Sequence, residues 1–253
     1  MSPNAVHLDS STVDVESAKI VAQSTDTKGL RPIDARVSGG ISGAANGTLT
    51  FMVGGEAAAV KTVQPLLEVM GQRTVHCGPA GNGQAAKICN NMILGATMIA
   101  TSEAFVLADK LGLDRQAMFD VVSTSSGYSW SMNAYCPAPG IGPASPADNG
   151  YAPGFASELM LKDLLLSQMA AQGVDADTPM GAAATQLYQT FVETEDGRGK
   201  DLGLKNAVAA HEPSFRGLRI RTDLSRTARC VTMRSIMVTS PARQFGRSTM
   251  PLS

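Results

Sequence analysis

Gly81-Asn82-Gly83-Gln84-Ala85-Ala86-Lys87-Ile88-Cys89-Asn90-Asn91 admits two readings, and the choice between them decides the fold. The first six residues fit G-x-G-x-x-A, they follow the apolar stretch Thr74-Val75-His76-Cys77, and Glu103 stands twenty positions after Gly83. On pattern alone this is a dinucleotide fingerprint, a tight turn feeding a helix whose N-terminus cradles a pyrophosphate. The next residues argue otherwise. From Gln84 to Leu111 there is no proline and one glycine, Gly95, while Ile88, Met92, Ile99, Ala104, Leu107 and Leu111 recur at helical spacing. A βαβ unit needs a shorter helix and then a strand near its acidic residue, and here Glu103 falls mid-helix. The stretch therefore opens one long helix.

On that helix Lys87 and Asn91 lie one turn apart on one face. They offer an ammonium and an amide to the same small polar substrate. In a closed apolar pocket a lysine pKa drops from about 10.4 toward neutrality, which suits proton transfer with a hydroxyl. Taken alone, such a pair is commoner on exposed helices. The surrounding sequence reverses that reading.

Upstream, residues 6–80 alternate strands and helices. Val6–Leu8, Ile33–Val37, Leu49–Val53 and Arg73–Cys77 read as strands. Asp14–Gln23 and Glu56–Met70 read as helices, the first behind a Ser/Thr/Asp cap region. Ser38–Gly47 is rich in glycine and reads as a loop. Downstream of Asn82, helical patterns dominate: the long helix, Asp114–Ser123, Ser157–Gln172 and Pro179–Glu193. Pro137–Pro153 holds five prolines and three glycines and reads as a loop. The fold class is α/β followed by all-α.

Two further segments flank the Lys87 helix. Asp34-Ala35-Arg36-Val37-Ser38-Gly39-Gly40 runs on through Gly47-Thr48-Leu49-Thr50-Phe51-Met52-Val53-Gly54-Gly55, and Phe155 precedes Leu161-Lys162-Asp163-Leu164. Together with Gly83, Lys87 and Asn91 these resemble the β-hydroxyacid dehydrogenases, relatives of 6-phosphogluconate dehydrogenase. Ser125-Ser126-Gly127, Trp130-Ser131, Tyr135 and Pro137-Ala138-Pro139-Gly140 resemble the 3-hydroxyisobutyrate dehydrogenase branch in particular. The resemblance covers about residues 6–202.

It implies roles position by position. Lys87 would be the catalytic lysine, taking the hydroxyl proton as hydride leaves for NAD, and Asn91 would hold the substrate beside it. Ser38, Gly39 and Gly40 would grip the substrate carboxylate through backbone N–H groups and a hydroxyl. Thr12, in Asp9-Ser10-Ser11-Thr12, and Lys162 would reach the cofactor. Asp163 could orient Lys162, although an adjacent Lys-Asp pair is more often a solvated helix face. Tyr135 and Trp130 could wall the pocket, with core packing at least as good a reading of Trp130. His76 reads as a strand residue and not as a base. Arg36 departs from the family, which usually has proline there.

The resemblance further implies an order of parts. Residues 1–80 would be a partial Rossmann-type domain, 81–202 an all-helical domain entered through the long interdomain helix, and 203–253 a basic, disordered tail. The family opens with a strand, a Gly-rich turn and a helix around the pyrophosphate, so the chain would begin inside that domain, after the cradle. The choice between NAD and NADP stays open because the acidic residue that reads the ribose belongs to that missing part. From residue 204 onward the chain holds nine basic and two acidic residues, against twelve and twenty before it. That shift reads as a tail foreign to the family or as a functional basic arm.

Composition bounds the rest. With 43% hydrophobic and 17% charged residues the chain is globular. The acidic body argues against nucleic acid as the main partner. Apolar runs look too interrupted to cross a membrane, the long helix being broken by Lys87, Asn90, Asn91, Ser102 and Glu103. Cys77, Cys89, Cys136 and Cys230 have neither C-x-x-C nor metal-ligand spacing with His7, His76 or His211, so they read as reduced cysteines and no metal is expected. The partners expected from the resemblance are a small 3-hydroxy acid and a second copy of the chain, joined through the helical domain. The reaction would be oxidation of 3-hydroxyisobutyrate to methylmalonate semialdehyde in valine breakdown, in the mitochondrial matrix of a eukaryote or the cytoplasm of a bacterium. Two other readings stand beside it: a semialdehyde reductase of the same family, and a non-catalytic subunit that dimerises through its helices.

Overall fold

Alternation along one strand sets the architecture. The computed structural model describes residues 5–193 and 199–201. In β2 (Arg31–Ser38) successive side chains point to opposite faces. Ile33, Ala35 and Val37 turn to one face, where they join Phe51, Val53, Val60 and Leu67 in a continuous core. Asp34, Arg36 and Ser38 turn to the other. Each fully buried side chain such as Leu67 contributes about 2 kcal/mol through the apolar area it removes from water.

β2 sits second in a four-stranded sheet of order β1-β2-β3-β4. β1 (Val6–Asp9) pairs parallel with β2, β3 (Leu49–Gly55) antiparallel to β2, and β4 (Gly71–Gly78) parallel to β3. The parallel pairs need crossovers, supplied by α1 (Val15–Asp26) and α3 (Ala57–Met70). Asp14 caps α1 by accepting the Ser17 N–H at 2.7 Å.

The antiparallel connection between β2 and β3 differs from expectation. The segment Ser38–Gly47 is not all loop: Gly40–Ala45 forms a short helix, α2. Gly39 at φ 133° and Gly40 at φ 61° turn the chain sharply after β2, and the small Ala44 and Ala45 then permit one and a half turns of helix.

The long helix, α4 (Asn82–Leu111), spans 30 residues and ends on Gly112 at φ 74°. It lies against the sheet at one end and against the helical half along the rest. By length and composition α4 is apolar enough to cross a membrane, contrary to the sequence expectation, because its amides and Lys87 are confined to the first turns. Part of its apolar surface is used inside the protein, while Ile93, Leu107 and Leu111 stay exposed. Met98 packs with Met160, Leu164, Ala184, Tyr188 and Phe191 from α7 (Ser157–Gly173) and α8 (Pro179–Glu193). Phe105 and Ala108 pack with Met118 of α5 (Arg115–Val122), Met132 of α6 (Trp130–Asn133), Cys136 and Ala138.

The sequence reading did not anticipate α6, a four-residue helix capped by Ser129, or the 3-10 turn Pro146–Asn149 inside the proline-rich segment. Both are too short to show a period. The basic tail, 203–253, and His211 and Cys230 within it, lie outside the described residues.

Candidate active site

The G-x-G at the start of α4 is explained by contact with the sheet. A Cβ on Gly83 would stand 2.6 Å from the carbonyl oxygens of both Asp34 and Met52, and one on Gly54 would stand 2.8 Å from the Gly83 nitrogen and the Pro79 oxygen. Two glycines therefore let the helix touch strands β2 and β3 backbone to backbone. Asp34, buried on the α4 side of β2, then accepts the N–H of Gly81 at 2.7 Å and of Gln84 at 2.8 Å. The positive end of the helix is thus filled by a carboxylate of the protein itself, which removes it as a pyrophosphate cradle.

One turn on, Lys87 reaches back over the same strand. Its Nζ donates to the Val37 carbonyl at 2.9 Å, so the ammonium sits beside Ser38, Gly39 and Gly40. Burial lowers the Lys87 pKa; the charge of Lys162 lowers it further, and that of Asp163 partly restores it. The end of β2 and the turn into α2 leave Gly39 and Gly40 exposed beside this group.

Asn91, 1% exposed, is engaged at both ends of its amide. Its Nδ2 donates to Asp163 Oδ2, and its Oδ1 accepts from Asn90 Nδ2. Asp163, 3% exposed, is not the solvated helix residue that adjacency to Lys162 suggested. It falls on the stripe Met160, Asp163, Leu164, Ser167, Ala171 that α7 buries, so helical phase puts it inside while Lys162 points out. Its place on that stripe was the missed signal. Lys162 Nζ lies 2.9 Å from Asp163 Oδ1 and donates to the Thr12 carbonyl at 3.4 Å. Thr12 and Lys162, separated by 150 positions, therefore meet. Thr12, Lys162, Asp163 and Asn91 form one chain of contacts, and Lys87 stands one helical turn before Asn91.

Arg36, in place of the family proline, is fully buried. It donates to the Asp9 carbonyl at 3.2 Å and to Asp9 Oδ2 at 3.3 Å. Burial pushes the Asp9 carboxyl up, but the Ser11 N–H and hydroxyl together with Arg36 outweigh it and hold the group below its ordinary value.

Trp130 is 51% exposed, so it is not a core residue; it stacks on Tyr135 with ring centroids 4.8 Å apart. Its four-residue helix lies at the surface and carries Ser131 and Met132 inward instead. Tyr135 donates to Asp201 Oδ2 at 2.9 Å, and the same oxygen accepts the N–H of Gly154 at 2.7 Å and of Phe155 at 3.3 Å. Burial, with the Asp201 charge behind it, keeps the Tyr135 phenol far above its ordinary range. Burial also raises Asp201, against those three hydrogen bonds. The Gly154 carbonyl approaches Gly40, so this clasp borders the β2–α2 turn. Sequence reasoning passed over Asp201 because its partners lie 46 to 66 positions away. His76 bonds the Gly55 carbonyl at 2.8 Å, as a strand residue. Among the described residues no group of three His, Cys, Asp or Glu is placed to hold a metal.

The contact of Thr12 with Lys162 sets a carbonyl and a lysine together just beyond the carboxyl end of β1. The starts of α1 and α4 are taken by the Asp14 and Asp34 carboxylates, so neither is open to a phosphate.

Comparison with known proteins agrees with this layout. Residues 81–208 match the family described as NAD-binding of NADP-dependent 3-hydroxyisobutyrate dehydrogenase, and residues 1–78 match the NAD-binding domain of 6-phosphogluconate dehydrogenase. The chain is 46% identical over 189 residues to a probable 3-hydroxyisobutyrate dehydrogenase of Mycobacterium tuberculosis, covering 75% of this chain and 64% of that one. It is 43% identical over 193 residues to an NAD-dependent L-serine dehydrogenase of Pseudomonas aeruginosa, covering 76% and 65%. A solved structure of M. tuberculosis 3-hydroxyisobutyrate dehydrogenase with L-serine superposes at TM-score 0.76 and 43% identity, over 83% of this chain and 70% of that one. The chain thus spans somewhat less than two thirds of the length of these curated relatives.

Proposed function

The chain belongs to the 3-hydroxyisobutyrate dehydrogenase family, and from that premise we propose that it oxidises a short 3-hydroxy acid with NAD, 3-hydroxyisobutyrate to methylmalonate semialdehyde being the favoured reaction. The observation that carries this reading is Lys87, its pKa lowered by burial and its Nζ on the Val37 carbonyl, directly beside Ser38-Gly39-Gly40.

The N–H groups of the β2–α2 turn, free of side chains at Gly39 and Gly40, receive the substrate carboxylate, and the Ser38 hydroxyl adds a donor. That places the hydroxyl of a 3-hydroxy acid against Lys87. In its neutral form the Lys87 amine takes the hydroxyl proton while hydride leaves the same carbon. Bound NAD supplies the hydride acceptor. Asn91, fixed by Asp163, keeps a second amide hydrogen for the substrate oxygen. Thr12 and Lys162 bind the cofactor from the β1 side. In the same proposal residues 1–80 and 81–202 act as the two halves of the site, the reaction serves valine breakdown, and the helical half joins a second copy.

L-Serine shares the carboxylate and the 3-hydroxyl of 3-hydroxyisobutyrate, and both the P. aeruginosa relative and the M. tuberculosis structure bear its name. The test is kcat/KM for both acids with NAD and with NADP on the purified chain, after NAD binding by calorimetry. Preference for 3-hydroxyisobutyrate supports the proposal; preference for L-serine moves the substrate and keeps the chemistry. A chain that folds yet binds neither cofactor at millimolar concentration sinks the proposal. The carboxylates that cap α1 and α4 favour, in that event, the non-catalytic subunit.

A further inference from the structure

The loop Asp9-Ser10-Ser11-Thr12 is held at both ends by cations. Lys162 takes the Thr12 carbonyl at one end. At the other, Arg36 takes the carbonyl and carboxylate of Asp9, whose second oxygen accepts the Ser11 N–H at 2.9 Å. The guanidinium is out of contact with solvent, and its Nε has no partner. A buried charge is costly to keep, and one bridged by a single carboxylate is committed to it. Among the described residues, the donors it engages are the two aimed at this loop. A proline, usual at this position in the family the chain resembles, has no side-chain donor and makes neither bond.

We propose that Arg36 is a positioning residue for the cofactor, acting through Asp9 to fix the β1–α1 loop so that Thr12 faces the nicotinamide end. This rests on the dehydrogenase reading above. Arg36 itself touches neither substrate nor cofactor; it sets the backbone that does.

The test joins hydrogen exchange on the cofactor-free chain with calorimetric NAD binding, for the wild type, Arg36→Met and Arg36→Lys. Arg36→Met keeps the apolar stem and avoids the unpaired buried charge that Asp9→Asn leaves. Expected for Arg36→Met is at least tenfold faster exchange at the Ser11 amide, which the Asp9 carboxylate holds, with β3 amides unchanged, and about tenfold weaker NAD binding. Arg36→Lys, able to keep one bond to Asp9, recovers part of both. Unchanged exchange at the Ser11 amide, or a rise shared equally by β3, overturns the tether. Faster loop exchange with NAD affinity intact overturns the cofactor role alone. A wild-type chain that binds no NAD overturns the dehydrogenase reading and the cofactor role together, and the exchange data then report separately on whether the tether exists.

Discussion

The Asn91 amide donates to the buried Asp163 carboxylate, so a residue of α7 sets the orientation of a residue one turn beyond Lys87. The same carboxylate acts on Lys87 through space, opposing the pKa depression that burial causes. Asp163→Asn removes that opposition, so the Lys87 pKa falls further. The acid limb of the kcat/KM profile is expected to move to lower pH, while the plateau drops about tenfold as the charge-assisted bond to Asn91 is lost. A limb that moves to higher pH contradicts the assignment of Lys87 as the titrating base.

Lys87 itself separates activity from stability. Its folded pKa lies below its unfolded value of 10.5, so the unfolded chain binds the proton more tightly. Stability therefore rises with pH between the folded and unfolded values, and the cost of burying the charge is fully present below the folded value. Lys87→Met should cut turnover on the order of a thousandfold. Thermal denaturation at pH 7 should show a raised midpoint, whereas replacing a merely structural lysine on an exposed helix would leave it unchanged.

Gly83→Ala tests the seating of α4. Alanine favours a helix, but its Cβ meets two strand carbonyls that cannot step aside. Overpacking of this kind costs about 1–3 kcal/mol, so the midpoint should fall by roughly 2–12 °C at 2–4 °C per kcal/mol. Turnover should fall with it, because Lys87 is carried one turn later on the same helix. Denaturation curves with Gly95→Ala as a comparison, where side chains instead of backbone are met, measure the difference.

Asp201 gathers a phenol and two backbone N–H groups on one oxygen. Asp201→Ala leaves all three without that acceptor and should cost on the order of 3 kcal/mol. Asp201→Asn keeps a carbonyl acceptor and should cost less. Because burial raises its folded pKa above 3.8, the wild-type carboxylate gives up stability at neutral pH that returns as pH falls through the folded value. The asparagine variant should lack that rise in urea denaturation between pH 7 and 4.

The sheet, the long helix and the two-part order were legible because each writes a period into the sequence. β2 alternates, and α4 repeats its apolar residues for eight turns. Lys87, Ser38, Gly39 and Gly40 are candidates by motif resemblance, and the fold carries Lys87 Nζ to the carbonyl of Val37, the residue before Ser38. What escaped lacks a local signature. Asp34 lies 47 residues from the helix it caps, and Asp201 lies as far from its partners. Asp163 was hidden by its charge, since polarity argued for solvent while helical phase put it inside. Trp130 was misjudged for the opposite reason: its size argued for the core, and a four-residue surface helix left it out.

The first turn of α4 cannot complete itself from its own neighbourhood. Gly81 and Gln84 wait for a carboxylate 47 and 50 positions upstream, and Gly83 fits only against strands already in register. Closing so long a loop precedes any reward from the contacts it makes. The start of α4 therefore has its full set of contacts only where β2 and β3 are paired. Lys87 reaches Val37 through that same seating, so the burial that lowers its pKa depends on a sheet built from residues about 50 positions upstream.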